Sequence, residues 1–176
     1  MKLLLHVCCA PDATIAPERL AGRGDVRLFF DNPNIQPLEE YSRRLHAFMK
    51  LVCATGMDYR IGLYDPETWF EAVRGHEADP EKGERCRLCV AFRLERTARQ
   101  AVRCGFDTLG TVLTTSPHKD AAMIFGLGRE IAGRRGLIFL EEDFKKRDGF
   151  KRSVQLCREW DIYRQNYCGC VYSIRK

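Results

Sequence analysis

Apolar residues come in short bursts along this chain of 176 residues, and the bursts alternate with longer stretches of helical period. Leu3 to Val7 is the first burst and reads as a buried strand. Pro11 follows it where a helix begins, a position that suits proline because no N–H is needed there. Val26 to Phe30 gives a second strand, closed by the turn-rich Asp31-Asn32-Pro33-Asn34. Period then changes, and an amphipathic helix runs from about Glu39 to Thr55, with Leu45, Phe48, Met49 and Val52 on its apolar side and Gly56 as its stop. Tyr59 to Leu63 predicts a third strand, Pro66 to Arg74 a short helix, and the polar stretch Gly75 to Gly83 an exposed loop. A helix of about Arg85 to Cys104 is ended by Gly105. Thr108 to Leu113 makes a fourth strand, Lys119 to Arg135 another helix, and Leu137 to Leu140 a fifth strand. From Phe144 onward the chain is basic and aromatic, with one helix near Arg152 to Glu159.

Strands separated by helices of this length predict the α/β class: a mostly parallel, five-stranded sheet flanked by helices. The length suits a single domain over 1–176, with the basic tail, about 144–176, packing near the site. In such folds ligands gather beyond the carboxyl ends of the strands, where the strand order reverses. That rule directs attention to Cys8 to Asp12, Asp31 to Asn34, and Thr114 to Lys119.

Composition adds one strong constraint. No apolar run approaches the roughly eighteen residues of a membrane span, and the opening Leu-rich segment is too short for a signal peptide, so a cytoplasmic protein with no membrane partner is expected. Nine cysteines in such a protein are poorly explained by structural disulfides in a reducing compartment. Metal binding or redox chemistry is the better reading of those that cluster. The formal charge of +5 permits a nucleic-acid partner without requiring one.

Cys8 and Cys9 follow the first strand directly and precede the Pro11 helix, whose N-terminus favours thiolate over thiol. Asp12 is either a helix-start acid or an oxygen ligand to the same metal. Cys86 and Cys89 are three apart on a helix, so their sulfurs lie on one side, one turn apart. With Cys8 and Cys9 they supply four sulfur ligands, enough for tetrahedral zinc or an iron–sulfur cluster. Along the same helix Arg85, Arg93, Arg96, Arg99 and Arg103 form a contiguous arc, either a solvated face or a guide for an anionic substrate. Cys168 and Cys170 flank Gly169, and a disulfide across so small a ring is strained and easily reduced, which suits a couple that cycles. Cys53, Cys104 and Cys157 stand singly in helical patterns and read as filler.

Laid out in order, these residues resemble the QueH family of epoxyqueuosine reductases nearly end to end. The resemblance rests on L-L-L-H-V-C-C-A-P-D at the start and N-P-N-I-Q-P at 32–37 with Glu40, Tyr41 and Arg44. It continues through E-R-C-R-L-C at 84–89, R-L-E-R-T-A at 93–98 and T-S-P-H-K-D at 115–120, and closes on Y-R-Q-N-Y-C-G-C-V-Y-S at 163–173. It implies an adenine-nucleotide-hydrolase-like (HUP or Rossmann-like) architecture and reduction of epoxyqueuosine to queuosine at the wobble position of tRNA, with electrons from an unidentified donor. It implies a 4Fe–4S cluster around Cys8, Cys9, Cys86 and Cys89 and a redox-active pair at Cys168 and Cys170. Members commonly carry cysteine where this chain has Asp12, although others are similar to this chain there. That departure leaves the fourth ligand open between Asp12 and one of the adjacent cysteines, the spare thiolate then being available to a second, mononuclear iron.

Substrate tRNA would be held through phosphates by Arg43, Arg44, Arg93, Arg96, Lys119 and Arg164, with Lys145, Lys146, Lys151 and Arg152 as further cations and Tyr163 and Tyr167 for stacking. His6, His118, Lys119 and Asp120 fall near strand ends where a proton donor is useful. Two other classes compete. In a zinc-stabilised RNA-binding module the same four cysteines hold structural metal. An ATP-using tRNA thiolation enzyme needs a glycine-rich phosphate loop after the first strand, where this chain has C-C-A-P-D.

Overall fold

The computed structural model describes residues 1–174. Five strands form one sheet in the order β3-β2-β1-β4-β5, every pair parallel. They are β1 (Lys2–Val7), β2 (Asp25–Phe30), β3 (Tyr59–Ile61), β4 (Thr108–Thr111) and β5 (Ile138–Phe139). The helices are α1 (Ala10–Ala13), α2 (Ala16–Leu20), α3 (Leu38–Thr55), α4 (Pro66–Ala72), α5 (Glu84–Arg103), α6 (Ala121–Gly133) and α7 (Gly149–Glu159). Among the described residues no helix is long and apolar enough to cross a membrane.

Alternation along the strands assigns the two faces. Phe30 stacks on Phe48 and Tyr41 of α3 at centroid distances of 5.1 and 5.6 Å. On the opposite face Leu4 and Phe29 pack with Ala101 of α5 and Phe106, and Gly128 of α6 lies so close to Phe139 that a Cβ there would meet the ring at 2.3 Å. The core of the sheet, Leu3, Leu4, Leu5 and Val7, is wholly buried, as a strand between parallel neighbours requires. The order reverses at β1, between β2 on one side and β4 on the other. A crevice therefore opens beyond the ends of β1 and β4.

Several element bounds differ from the sequence reading, β3 ending at Ile61, β5 shrinking to Ile138–Phe139 and α7 starting at Gly149 among them. The fourth strand stops at Thr111, not Leu113, because the Thr111 hydroxyl accepts the Leu113 N–H at 3.2 Å and turns Val112–Thr115 into a 3₁₀ helix. The sixth helix starts after Lys119, since Asp120 caps it by accepting from the N–H groups of Ala122 and Met123. That role occupies the Asp120 carboxylate and removes it from the proton donors. The Pro11 helix breaks in two, into α1 and α2.

Candidate metal centres and substrate pocket

Beyond β1 the backbone of Cys9 stays extended and then enters α1. Cys8 Sγ lies 3.8 Å from Cys9 Sγ and 3.2 Å from Asp12 Oδ2. One ligand atom from each of the three residues falls within 4.8 Å of the others. Two thiols and a carboxylate at this spacing form a three-point donor set open on one side, the pattern of a site that keeps a position for substrate. A helix of four residues adds little dipole, and the Cys8 thiol is pushed well up, by its contact with Cys9 and by burial. Burial also raises the Asp12 carboxyl. Burial and the Cys9 contact thus work against the thiolate expected at Cys8, and a bound cation would work for it.

These residues line a cavity of about 390 Å³. Arg93, His118, Lys119, Phe150 and Arg164 line it too, together with Gln165 to Cys168. Gln165 donates from Nε2 to Cys9 Sγ at 3.0 Å, and its buried Oε1 has no partner. The wall thus combines cations, an aromatic ring and amides around the trio.

A second, smaller cavity adjoins it. Cys86 and Cys89, on the first turns of α5, line it with Cys168 and Cys170, and so do Asn34, Trp69, Arg93 and Lys119. The structure therefore does not gather Cys8 and Cys9 with Cys86 and Cys89; it puts the C-x-C loop beside the C-x-x-C helix. Gly169 makes the loop possible, with φ of +136° and room so tight that a Cβ there would meet Arg44 and Ile35 at 3.1 Å. Arg44 donates to the carbonyls of Cys168 and Tyr167 at 3.0 and 3.1 Å, and Gln36 N–H donates to Gly169 O at 2.8 Å. Val171 N–H donates to Gln36 Oε1 at 3.2 Å. All the cysteines are free thiols in this structure, so no disulfide joins Cys168 to Cys170.

Charge in this second cavity is unusual. Lys119 Nζ donates to Cys168 Sγ at 3.1 Å. Burial alone would raise the Cys168 thiol, but the Lys119 ammonium and the Arg93 guanidinium outweigh it and hold the thiol below its ordinary range. Arg93 is 3% exposed and has no carboxylate partner among the described residues; its Nε donates to Cys89 O at 3.3 Å. Burial pushes the Cys89 thiol up. The buried Asn34 Oδ1 and Trp69 Nε1 are also unpartnered. A buried guanidinium, a half-buried ammonium and an unpartnered indole N–H, set among four cysteines, suit an anionic sulfur-rich group, because thiolate-ligated clusters are anionic and accept hydrogen bonds at sulfur.

Several expected roles resolve differently. Arg44 is 2% exposed and paired with the equally buried Glu40 at 2.7 Å, so it clamps the C-x-C loop. Arg44→Met leaves Glu40 short of a partner and frees that loop. It should cost about 3 kcal/mol of stability, read as a lower denaturant midpoint at unchanged slope. Arg43 is exposed, pairs with Glu40 at 3.1 Å and lies over Tyr163. Arg96 is tied to Asp31 by two bonds of 2.6 and 2.8 Å. Arg85, expected on a solvated arc, is buried beneath the loop before α5, where it donates to backbone carbonyls and lies over Tyr172. Tyr163 and Tyr167 spend their hydroxyls on Glu40 and on Gln36 O. His6 is sealed in the sheet against Thr111 Oγ1 at 3.0 Å, and burial holds it neutral, its pKa lowered to about 3. Asn34 ends one of the segments to which the strand-end rule points, whereas Trp69, Phe150 and Gln165 are missed by the sequence reading. Gln165 stands inside a resembling block, but Trp69 and Phe150 carry no signal of their own.

Comparison with known proteins gives a consistent set of matches. Residues 3–176 match the family model described as epoxyqueuosine reductase QueH. The chain is 42% identical over 180 residues to the epoxyqueuosine reductase QueH of Streptococcus pyogenes serotype M1, covering 99% of this chain and 71% of that one. It is 41% identical over 177 residues to the namesake from Thermotoga maritima, covering 98% and 90%. Among solved structures it is similar to the U34-tRNA thiolase NcsA from Methanococcus maripaludis with its [4Fe-4S] cluster. The TM-score there is 0.60 at 13% identity, over 99% of this chain and 62% of the thiolase. That likeness bears out the predicted α/β architecture.

Proposed function

This chain belongs to the QueH family of epoxyqueuosine reductases and is itself such a reductase; we propose that it acts on the modified base within tRNA through two metal centres in adjoining cavities. Family membership does not favour the zinc-stabilised binding module. The observation that carries the two-centre reading is the division of the donors: Cys8, Cys9 and Asp12 in one group, and Cys86, Cys89, Cys168 and Cys170 around a second cavity.

The second set fits a 4Fe–4S cluster in number and softness of donors, with Arg93 and Lys119 to balance its charge. The first set fits one iron with a free coordination position. Removing the epoxide oxygen as water restores an alkene and consumes two electrons and two protons. When bound, the metals supply those electrons and a Lewis acid at the oxygen, chemistry that side chains cannot provide.

The chain's own residues do the rest. Cys8, Cys9 and Asp12 fix where the epoxide oxygen comes to lie, at the floor of the cavity of about 390 Å³. Phe150 offers an apolar wall for a flat base. Gln165 holds Cys9 and presents its free carbonyl to the same space. Arg164 stands exposed at the mouth, placed for a phosphate. His118 lies at the rim in contact with solvent, where an imidazole can pass protons inward. Electrons enter from a separate donor, and the reaction takes place in the cytoplasm, where tRNA is modified.

Lys119 sets the ease of reduction. Lys119→Met removes a positive charge worth about 3 kcal/mol at about 5 Å and an effective dielectric of about 20. The midpoint potential of the cluster should fall on the order of 100 mV, measured by redox titration under argon.

A second reading keeps Cys168 and Cys170 as a cycling dithiol. The lowered Cys168 thiol favours it, since a stabilised thiolate is a reactive one. Paired cysteine variants, treated in the Discussion, separate the two readings.

A further inference from the structure

On the α5 side of the sheet α5 covers β2 at Phe29, whereas the edge strand β3 is exposed, and a groove of about 470 Å³ lies there between α5 and that edge. Its floor is Phe29, Asp31 and Arg60, and its wall carries Arg96, Arg99 and Arg103. Arg60 is the register partner of Phe29, so it stands on this face. Gly62 is bare for a reason: a Cβ there would meet the Asp31 carboxylate at 2.0 Å. That carboxylate is spent on Arg96.

Arg60, Arg99 and Arg103 are exposed. Among the described residues they have neither an ion pair nor a side-chain hydrogen bond. Several other surface arginines are matched with acids, Arg129 with Glu141, Arg134 and Arg135 with Glu95, and Arg152 with Glu18; the exposed Arg74, Arg147, Arg158 and Arg164 have no acid among the described residues either, but none of them lines this groove. Three unneutralised guanidinium groups in one groove repel one another, and the arrangement is relieved by an anion. Arg96 to Arg103 spans about 10 Å of helix axis, longer than one phosphate needs. The same helix reaches the reaction cavity at Arg93, one turn before Arg96. Guanidinium forks read phosphate in pairs of bonds and carry no base information.

We propose that this groove is a docking track for the phosphodiester backbone of the substrate RNA, away from the nucleotide being reduced. The inference rests on the reading that tRNA is the substrate, and it adds where the rest of that molecule lies. It gives the wall of α5 two duties. Its first turns hold metal ligands, and its later turns hold RNA.

The test is the triple variant R60Q/R99Q/R103Q, whose side chains hold no part of the fold or of either metal centre. Binding of fluorescein-labelled tRNA is followed by anisotropy across a salt series, beside the visible spectrum and the turnover of a free epoxyqueuosine nucleoside. The groove predicts at least tenfold weaker tRNA binding at low salt and a log–log salt slope shallower by about 2. The spectrum and nucleoside turnover should be unchanged. Equal affinity and slope in variant and wild type would overturn the track while leaving the reductase reading intact. Thermal stabilisation by inorganic phosphate that the variant loses, with tRNA binding unaltered, would make the groove a small-anion site and overturn it as well. Wild-type protein that fails to bind tRNA would bring down the substrate reading and the track together.

Discussion

Replacing Cys168 and Cys170 together by serine is expected to abolish assembly of the iron–sulfur centre, not merely its turnover. Both sulfurs line the cavity shared with Cys86 and Cys89. A cubane cluster takes four thiolates, and the loss of two leaves it open to solvent and oxygen. The brown chromophore should be absent after anaerobic purification, as it should be in the matched variant of Cys86 and Cys89. Metal binding is also folding energy, so both variants should melt well below the wild-type holoprotein. If instead the Cys168 and Cys170 variant keeps about four irons and four sulfides and only its turnover is lost, the two cysteines are a redox couple. The cluster must then be held elsewhere.

Asp12→Asn should give the complementary result. The substitution keeps the shape of the side chain and the hydrogen bond that the Asp12 backbone carbonyl accepts from Thr115 Oγ1 at 2.8 Å. It removes the one charged oxygen from the trio. The variant should retain the chromophore and all four sulfides while losing the single metal at Cys8 and Cys9. Without a Lewis acid worth several kcal/mol, turnover should fall on the order of a thousandfold or more. Reductive bleaching of the cluster by dithionite should persist. A variant that turns over at the wild-type rate would remove Asp12 from the centre.

Much of the architecture was legible because it is written locally. Leu3 to Val7 and Val26 to Phe30 are apolar runs bounded by turn signals, and both appear as strands close to their expected ends. The amphipathic period from Glu39 to Thr55 and the Gly56 stop appear as α3 with its left-handed cap at φ of +66°. Where local signals competed, the prediction slipped: Val112 and Leu113 belong to a strand by propensity, but the Thr111 hydroxyl at the end of β4 starts them into a 3₁₀ helix.

The site was legible residue by residue and less so as an arrangement. Spacing along the chain put Cys86 with Cys89 and Cys8 with Cys9, because neighbours in sequence are neighbours in space. Which pair meets Cys168 and Cys170 depends on how the last segment returns over the sheet. That return is fixed by contacts of Arg44 and Gln36 with residues more than a hundred positions away. Helical periodicity likewise set Arg85 and Arg93 on a polar arc. Periodicity registers which way a side chain points, not what later packs over it. In the structure a loop and a cysteine cavity cover these two, and Arg99 and Arg103 alone of the arc are exposed.

The two-centre account is tested most directly by purifying the intact protein without oxygen and measuring iron, acid-labile sulfide and zinc on the same sample. About five irons and four sulfides per chain, with a visible spectrum bleached by dithionite, is the predicted result. Stoichiometric zinc with neither iron nor sulfide, even after anaerobic reconstitution, would contradict it.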